Sequence, residues 1–265
     1  MEGISGLVHW EETGRKGGGD YERARKLMTQ DANAAAVGAL AGGATEVLIN
    51  DSHGGMRNII VEQLDERVRL ISGSPKYLSM VEGVDGVDLA MFVGYHSRAH
   101  SRGTMNHTYT GTVLKLAING QVYGECGLNA MIAGHYGVPV VMVTGDRDAT
   151  DEATALLPGV RVVTVKETIG QLAANLLHPK RARALIESAA TEALREAVAG
   201  RAPAPLEVAK PTKMELHFAR SAQADAAAVM PGAERPAGNV ITWQGQNGFE
   251  CYRAFRALIA LGGRL

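Results

Sequence analysis

Three short apolar runs in this chain each end abruptly in polar residues with chemical capacity. Residues 45–50 (TEVLIN) lead into Asp51, Ser52 and His53; residues 89–93 (LAMFV) lead into Gly94, Tyr95 and His96; residues 138–143 (VPVVMV) lead into Thr144, Gly145 and Asp146. Continuous apolar runs are the mark of strands buried on both faces. Separated by helical segments, they predict a parallel sheet with helices on its faces. In such sheets ligands bind beyond the carboxyl ends of the strands. His53, His96 and Asp146 are therefore expected at one sheet edge despite their separation in sequence.

Residues 94–129 add most to this edge. They carry three of the eight histidines, His96, His100 and His107, with Glu125 on a turn flanked by Gly124 and Gly127. Imidazole and carboxylate together are the usual donor set of zinc, and open sites mix them. One isolated histidine would read as a turn or surface residue; several crowded behind strand ends read as a metal site. His53 also fits a turn role, and Glu125 also suits the start of the helix that follows, where a carboxylate is favoured. Asp146 and Asp148 read equally well as acceptors for a ligand histidine or as loop residues.

The rest of the chain supports an α/β fold with a small appendage. A helix is expected from Asp20, as N-cap, to the glycine stop at Gly42 and Gly43. Further helical pieces are expected through 59–61 and around 78–81, with a strand at 68–71. Asn119-Gly120 between VLKLAI and QVY is a strong hairpin signal. A helix (LNAMIAGHY) follows, then a helix over 149–157, a strand over 160–165, and helices over 167–177 and 179–199, the last with Pro179 in its first turn. The proline-rich break from Arg201 to Pro205, extended by Pro211, marks a boundary. Residues 1–200 are expected to form the metal-binding domain, with a mostly parallel sheet and flanking helices, and 212–265 a small C-terminal α+β subdomain.

Composition excludes several classes. The 265 residues are 46% hydrophobic, enough for a sizeable core, and the net charge of −1 gives no pull toward nucleic acid. No run is long enough to span a bilayer. The first residues lack a charged-then-apolar leader pattern, so a cytoplasmic location is expected. Neither cysteine, Cys126 or Cys251, belongs to a CxxC pair. Cys126 reads as a packing residue, because no separate base accompanies it.

Taken together, MEGISG at the start, NDSHGGMRN at 50–58, SMVEG at 79–83, GYHSRA at 94–99, MNH at 105–107 and GECGLNA at 124–130 resemble the DppA-type zinc-dependent D-aminopeptidases. The likeness runs in order through most of the chain, on to VPVVMVTGD, VKETI and Met230-Pro231-Gly232. The resemblance implies two zinc ions per subunit, with Glu2, His53, His96 and Glu125 as ligands and His107 as a catalytic group beside the metals. It also implies a homodecameric ring with internal sites, and removal of N-terminal D-residues, notably D-Ala, from short peptides. His100 is not implicated. Other readings of the same residues are a different metal-assisted amidase or hydrolase, or a non-catalytic ring-forming protein. The family pattern has an Asp two residues before the Glu of EGISG, bridging the metals. A strand of about five or six residues ending in Asp is therefore expected in the reading frame immediately before Met1.

Overall fold

The computed structural model describes residues 1–263. In chain order its regular elements are α1 (Gly19–Gly42), β1 (Val47–Asn50), β2 (Val68–Ile71), β3 (Ala90–Tyr95), β4 (Val113–Ile118), β5 (Gln121–Tyr123), α2 (Glu125–His135), β6 (Val140–Asp146), α3 (Arg147–Leu156), β7 (Arg161–Gly170), β8 (Ala173–Leu176), α4 (Pro179–Val198), β9 (Thr212–Phe218), α5 (Ser221–Ala227), β10 (Glu234–Ala237), β11 (Val240–Gly245) and α6 (Gly248–Gly262). Short 3-10 turns fill several connections. The fold is α/β, as expected, but the strands are distributed over three sheets. One has the order β3-β6-β7-β8, parallel except for β8; β1 and β2 form a separate parallel pair; the third, β10-β11-β9-β4-β5, is antiparallel.

Small side chains let the layers approach. Buried Ala34, Ala35 and Ala39 of α1 share an apolar cluster with Ala182, Ile186 and Ala190 of α4 and with Val141 and Val163 of the central strands. A second, larger cluster joins β3 and α2 to β4, β9 and α6, through Phe92, Leu128, Leu116, Phe218 and Phe255. The proline-rich connection near residue 200 leads to elements whose strands pair with the chain before it: β9 lies against β4, with Leu216 opposite Leu116. The β4–β5 hairpin turns at Asn119 and Gly120, whose φ values of 50° and 83° are those of the turn the Asn-Gly pair selects.

Two expected helices do not form. Residues 167–177 continue β7 and return as β8, because this hairpin is claimed by a neighbouring loop: Met105 N–H donates to the Gln171 carbonyl at 2.7 Å, and the Thr104 and Thr168 hydroxyls meet at 3.1 Å. Around residue 60 only a short turn, Val61–Gln63, forms. There the fully buried Asp51 carboxylate accepts from the Ile59 N–H at 2.7 Å and the Asn58 side-chain amide at 2.8 Å, which holds the chain open. Residues 78–81 likewise shorten to a single turn, Ser79–Val81.

One close approach shapes the sheet edge. Gly94 has φ of +75°, and a Cβ there would lie 2.4 Å from Ile4 Cγ2. Gly94→Ala is expected to cost about 2–4 kcal/mol, combining left-handed strain with overpacking, as read by chemical denaturation. Gly111→Ala, where a Cβ would meet nothing within 4 Å, should cost less than about 0.5 kcal/mol.

Candidate metal centre

The segment before α1 is fixed from three sides. Ile4 and Leu7 are buried. Gly3 N–H donates to the Gly94 carbonyl at 3.1 Å, and a Cβ on Gly3 would sit 1.7 Å from the Tyr95 oxygen, so backbone lies directly on backbone. Asp31 on α1 accepts from the Ser5 N–H at 2.8 Å and the Ser5 hydroxyl at 2.9 Å. From β7, Lys166 donates its Nζ protons to the carbonyls of Glu2 at 2.5 Å and Leu7 at 2.8 Å. Burial pushes Lys166 down to about 8, opposed by Asp146 and Glu2, so it is still an ammonium at neutral pH. The EGISG motif is thus a packing motif that carries Glu2 to the end of β3.

Three histidines then meet two buried carboxylates, and all three are arranged alike. His53 Nε2 donates to the Thr13 carbonyl at 2.8 Å while its Nδ1 faces Glu2 Oε1 at 3.2 Å. His96 Nδ1 donates to the Ser97 carbonyl at 3.0 Å and its Nε2 faces Glu125 Oε1 at 3.4 Å. His107 Nδ1 donates to the Met105 carbonyl at 3.1 Å and its Nε2 faces the same Glu125 oxygen at 3.5 Å. Because a carbonyl can only accept, each neutral ring has its one N–H committed and turns a lone pair on a carboxylate. Two facing lone pairs require a proton or a cation between them. A histidine with one nitrogen tied to a carbonyl is the usual form of a metal ligand. Donors about 2.0–2.2 Å from a shared tetrahedral ion lie roughly 3.3–3.6 Å apart, close to the separations seen. They are also longer than a good charge-assisted hydrogen bond of about 2.7–2.9 Å.

His96, His107 and Glu125 form one candidate donor cluster, with ligand atoms all within 4.8 Å of one another. The rings of His96 and His107 stack at 4.0 Å. Glu125 opens α2, and its Oε1 also accepts the Tyr109 N–H at 2.7 Å, so it points into the site and does not cap its own helix. Glu2 and His53 stand across a shared cavity of about 200 Å³ that His96, His107 and Glu125 also line. The structure therefore brings together the five residues that the family resemblance implies, while Asp146, expected at the same edge, lies outside this cavity. It places His107, expected as a catalytic group, where its Nε2 can also serve as a ligand.

The charges follow from this packing. Burial alone would lower His96, but the Glu125 carboxylate, with Glu2 behind it, holds it up at about 9. Burial would raise Glu125, but His96 and then His107 bring it down to about 2. His107 is pushed down, first by burial and then by the positive His96. Glu2 lies well below the ordinary range: burial opposes this, while His53 drives it. Burial also raises the Cys126 thiol to about 12, so it offers no thiolate nucleophile near neutral pH.

The other sequence candidates stand elsewhere. Asp146 caps α3 through the Ala149 N–H at 2.9 Å. His100 is exposed and adopts φ of 60°. His9 caps a short 3-10 turn, His178 caps α4, His135 stacks on Phe249, and His217 pairs with Glu215. Residues with no role in the sequence reading include Lys166, Asp31, Tyr109 and Trp10, whose indole meets His107 edge-on at 5.4 Å. A lone lysine inside the strand VVTVKETI was the one available signal among them.

Fold and donor set together define an α/β protein with a candidate cation site at a sheet edge. The family model described as D-aminopeptidase, of the M55 peptidases, matches residues 1–257. The chain is 40% identical over 268 residues to a D-aminopeptidase of Bacillus subtilis (strain 168), an alignment covering 100% of this chain and 96% of that protein. A solved structure, the Zn-dependent D-aminopeptidase DppA from Bacillus subtilis, described as a self-compartmentalizing protease, superposes with a TM-score of 0.94 at 39% identity, covering 100% of this chain and 96% of that one. This chain belongs to the D-aminopeptidase family of M55 peptidases.

The pairing has a pH signature in chelator-treated protein. His96 is raised by folding from 6.5 to about 9, so its contribution to stability is complete below pH 6.5 and is lost as pH rises through about 9. Glu125 is lowered from 4.5 to about 2, so its contribution is present above pH 4.5 and lost as pH falls through about 2. The metal-free melting temperature should therefore lose this support on the alkaline side, between about pH 6.5 and 9. His96→Gln should flatten that limb; a slope that persists in the variant would count against the pairing.

Proposed function

We propose that this chain is a zinc-dependent D-aminopeptidase that removes N-terminal D-residues, D-Ala foremost, from short peptides. In this reading two zinc ions are held by Glu2, His53, His96 and Glu125, and His107 is the catalytic residue. The observation that carries it is the arrangement of the three imidazoles, each with its N–H on a backbone carbonyl and its lone pair turned on a buried carboxylate. The names of the curated Bacillus subtilis D-aminopeptidase and of the solved Bacillus subtilis structure support the metal and the stereochemistry. The self-compartmentalizing description of that solved structure supports assembly of this chain as a homo-oligomer, a ring-like decamer in the fuller reading.

Bound zinc would polarise the scissile carbonyl and make a water molecule nucleophilic at neutral pH. The chain's own residues supply the rest. His107, pushed down by burial, can take or return a proton at Nε2. Its Nδ1–H on Met105 fixes the ring's orientation. Glu2 and Glu125 are the carboxylates lining the small cavity among the described residues, and either can balance the substrate's free ammonium. At about 200 Å³ that cavity suits one small residue, which agrees with alanine.

The purified protein should hydrolyse D-Ala amide and D-Ala-D-Ala, leave the L-isomers largely untouched, and contain zinc by elemental measurement. Comparable rates on both isomers, or a phosphate ester turned over in preference, would sink the stereochemical reading or the peptidase reading respectively. His107→Ala is expected to keep its zinc while losing on the order of a hundredfold or more in kcat. His96→Ala or Glu125→Ala should lose metal first. Zinc lost in step with activity in His107→Ala would move His107 into the ligand set.

A further inference from the structure

The small cavity accommodates one residue and leaves a larger neighbour without a role. This second cavity, of about 640 Å³, lies beside it, and among the described residues His107 alone lines both. An enzyme that removes one terminal residue needs a confined place for that residue and an open one for the remainder, with the reacting group between them. His107 stands at that junction.

The lining of the larger cavity is built for a particular chemistry. Trp10, 36% exposed, faces it from a short turn. That turn is tied down: Glu12 Oε2 accepts the N–H groups of Val8 at 2.8 Å and His9 at 2.9 Å, and the Thr13 hydroxyl donates to the Trp10 carbonyl at 2.9 Å. A large aromatic ring is thus held half in solvent on a rigid support, already oriented for contact. Half-buried Leu114 of β4 adds a second apolar surface, and Asn106 and Gln171 supply polar atoms. Among the described residues no carboxylate, lysine or arginine lines this cavity; its ionisable groups are the imidazoles of the exposed His100 and of His107.

We propose that the larger cavity is the subsite for the residue that follows the scissile bond, and that it takes an uncharged apolar or aromatic side chain seated on Trp10 and Leu114. The proposal rests on the aminopeptidase reading of the adjoining centre. The favoured substrates are then short peptides of the form D-Ala followed by an apolar or aromatic residue. Simple D-Ala amides leave the cavity empty.

The test compares kcat/KM of the zinc-loaded enzyme on D-Ala-Phe amide, D-Ala-Asp amide, D-Ala-Lys amide and D-Ala amide. The wild type should favour D-Ala-Phe amide over each of the others by on the order of tenfold or more. Trp10→Ala should collapse that ratio, and Trp10→Phe should restore most of it. Leu114→Glu should shift preference toward D-Ala-Lys amide, a gain that misfolding cannot mimic. Independently of turnover, titrating Phe-Gly should change the tryptophan fluorescence of the wild type and not that of Trp10→Phe. Hydrolysis of D-Ala amide with no dependence on the following residue would overturn the subsite alone. Failure of the wild type on all four substrates would overturn the peptidase reading and the subsite with it.

Discussion

The site depends on a buried lysine. Lys166 has 1% of its surface exposed and no carboxylate in direct contact among the ion pairs of the described residues. Its protons go to two carbonyls of the segment that carries Glu2. Hydrogen bonds to a charged donor contribute about 1.5–3 kcal/mol each, and an uncompensated buried ammonium costs several kcal/mol. The fold therefore strongly favours the one arrangement in which residues 1–7 lie across β7. Asp31 holds the same segment from α1 through Ser5, and the bare backbone of Gly3 lets it touch Tyr95. Remove this clamp and Glu2 has no fixed position, and His53 loses the carboxylate its free nitrogen faces.

A second constraint lies in the loop between β3 and β4. His100, Met105 and Tyr109 all have positive φ, of 60°, 50° and 65°, a costly conformation for residues with a Cβ. The surroundings that impose it are visible: Met105 is fully buried and bonded to the β7–β8 hairpin, and the Tyr109 N–H is held by Glu125. The result is a loop that returns His107 onto His96 with the rings stacked. The strain falls where both donors must face one carboxylate oxygen.

Much of this was legible in the sequence, for physical reasons that differ by residue. Strand ends announce themselves through apolar runs that stop at polar residues, which is why His53 and His96 could be placed just past strand ends before any coordinates, although β1 and β3 belong to different sheets. Asn119-Gly120 specified its turn because few other pairs accept two left-handed residues. Glu2 was visible only through the likeness of EGISG to a family motif; the reason for that motif, backbone packed on backbone at Gly3 and Gly94, is a long-range contact that no local pattern encodes. Residues 167–177 read as a helix because their propensities are mixed, and pairing with the loop at Thr104 and Met105 decided otherwise. Lys166 and Asp31 were hidden for the same reason, since a charged side chain declares its burial only when its partners are known.

Helix α6, part of the C-terminal residues 212–265 that sequence reading set apart as a subdomain, is physically coupled to the candidate metal centre through Tyr109. Its ring packs edge-on against Phe255 of α6 at 5.3 Å, and its hydroxyl donates to the Ser79 hydroxyl at 2.9 Å. Tyr252, also on α6, anchors the same region by donating to the Leu78 carbonyl at 2.7 Å. With its ring fixed at that end, Tyr109 presents its backbone N–H to Glu125 Oε1, the oxygen that both His96 and His107 face. The C-terminal elements therefore set the orientation of the carboxylate at the centre of the donor cluster. The proline-rich connection near residue 200 is a change in sequence composition across which packing, and with it the geometry of the site, is continuous.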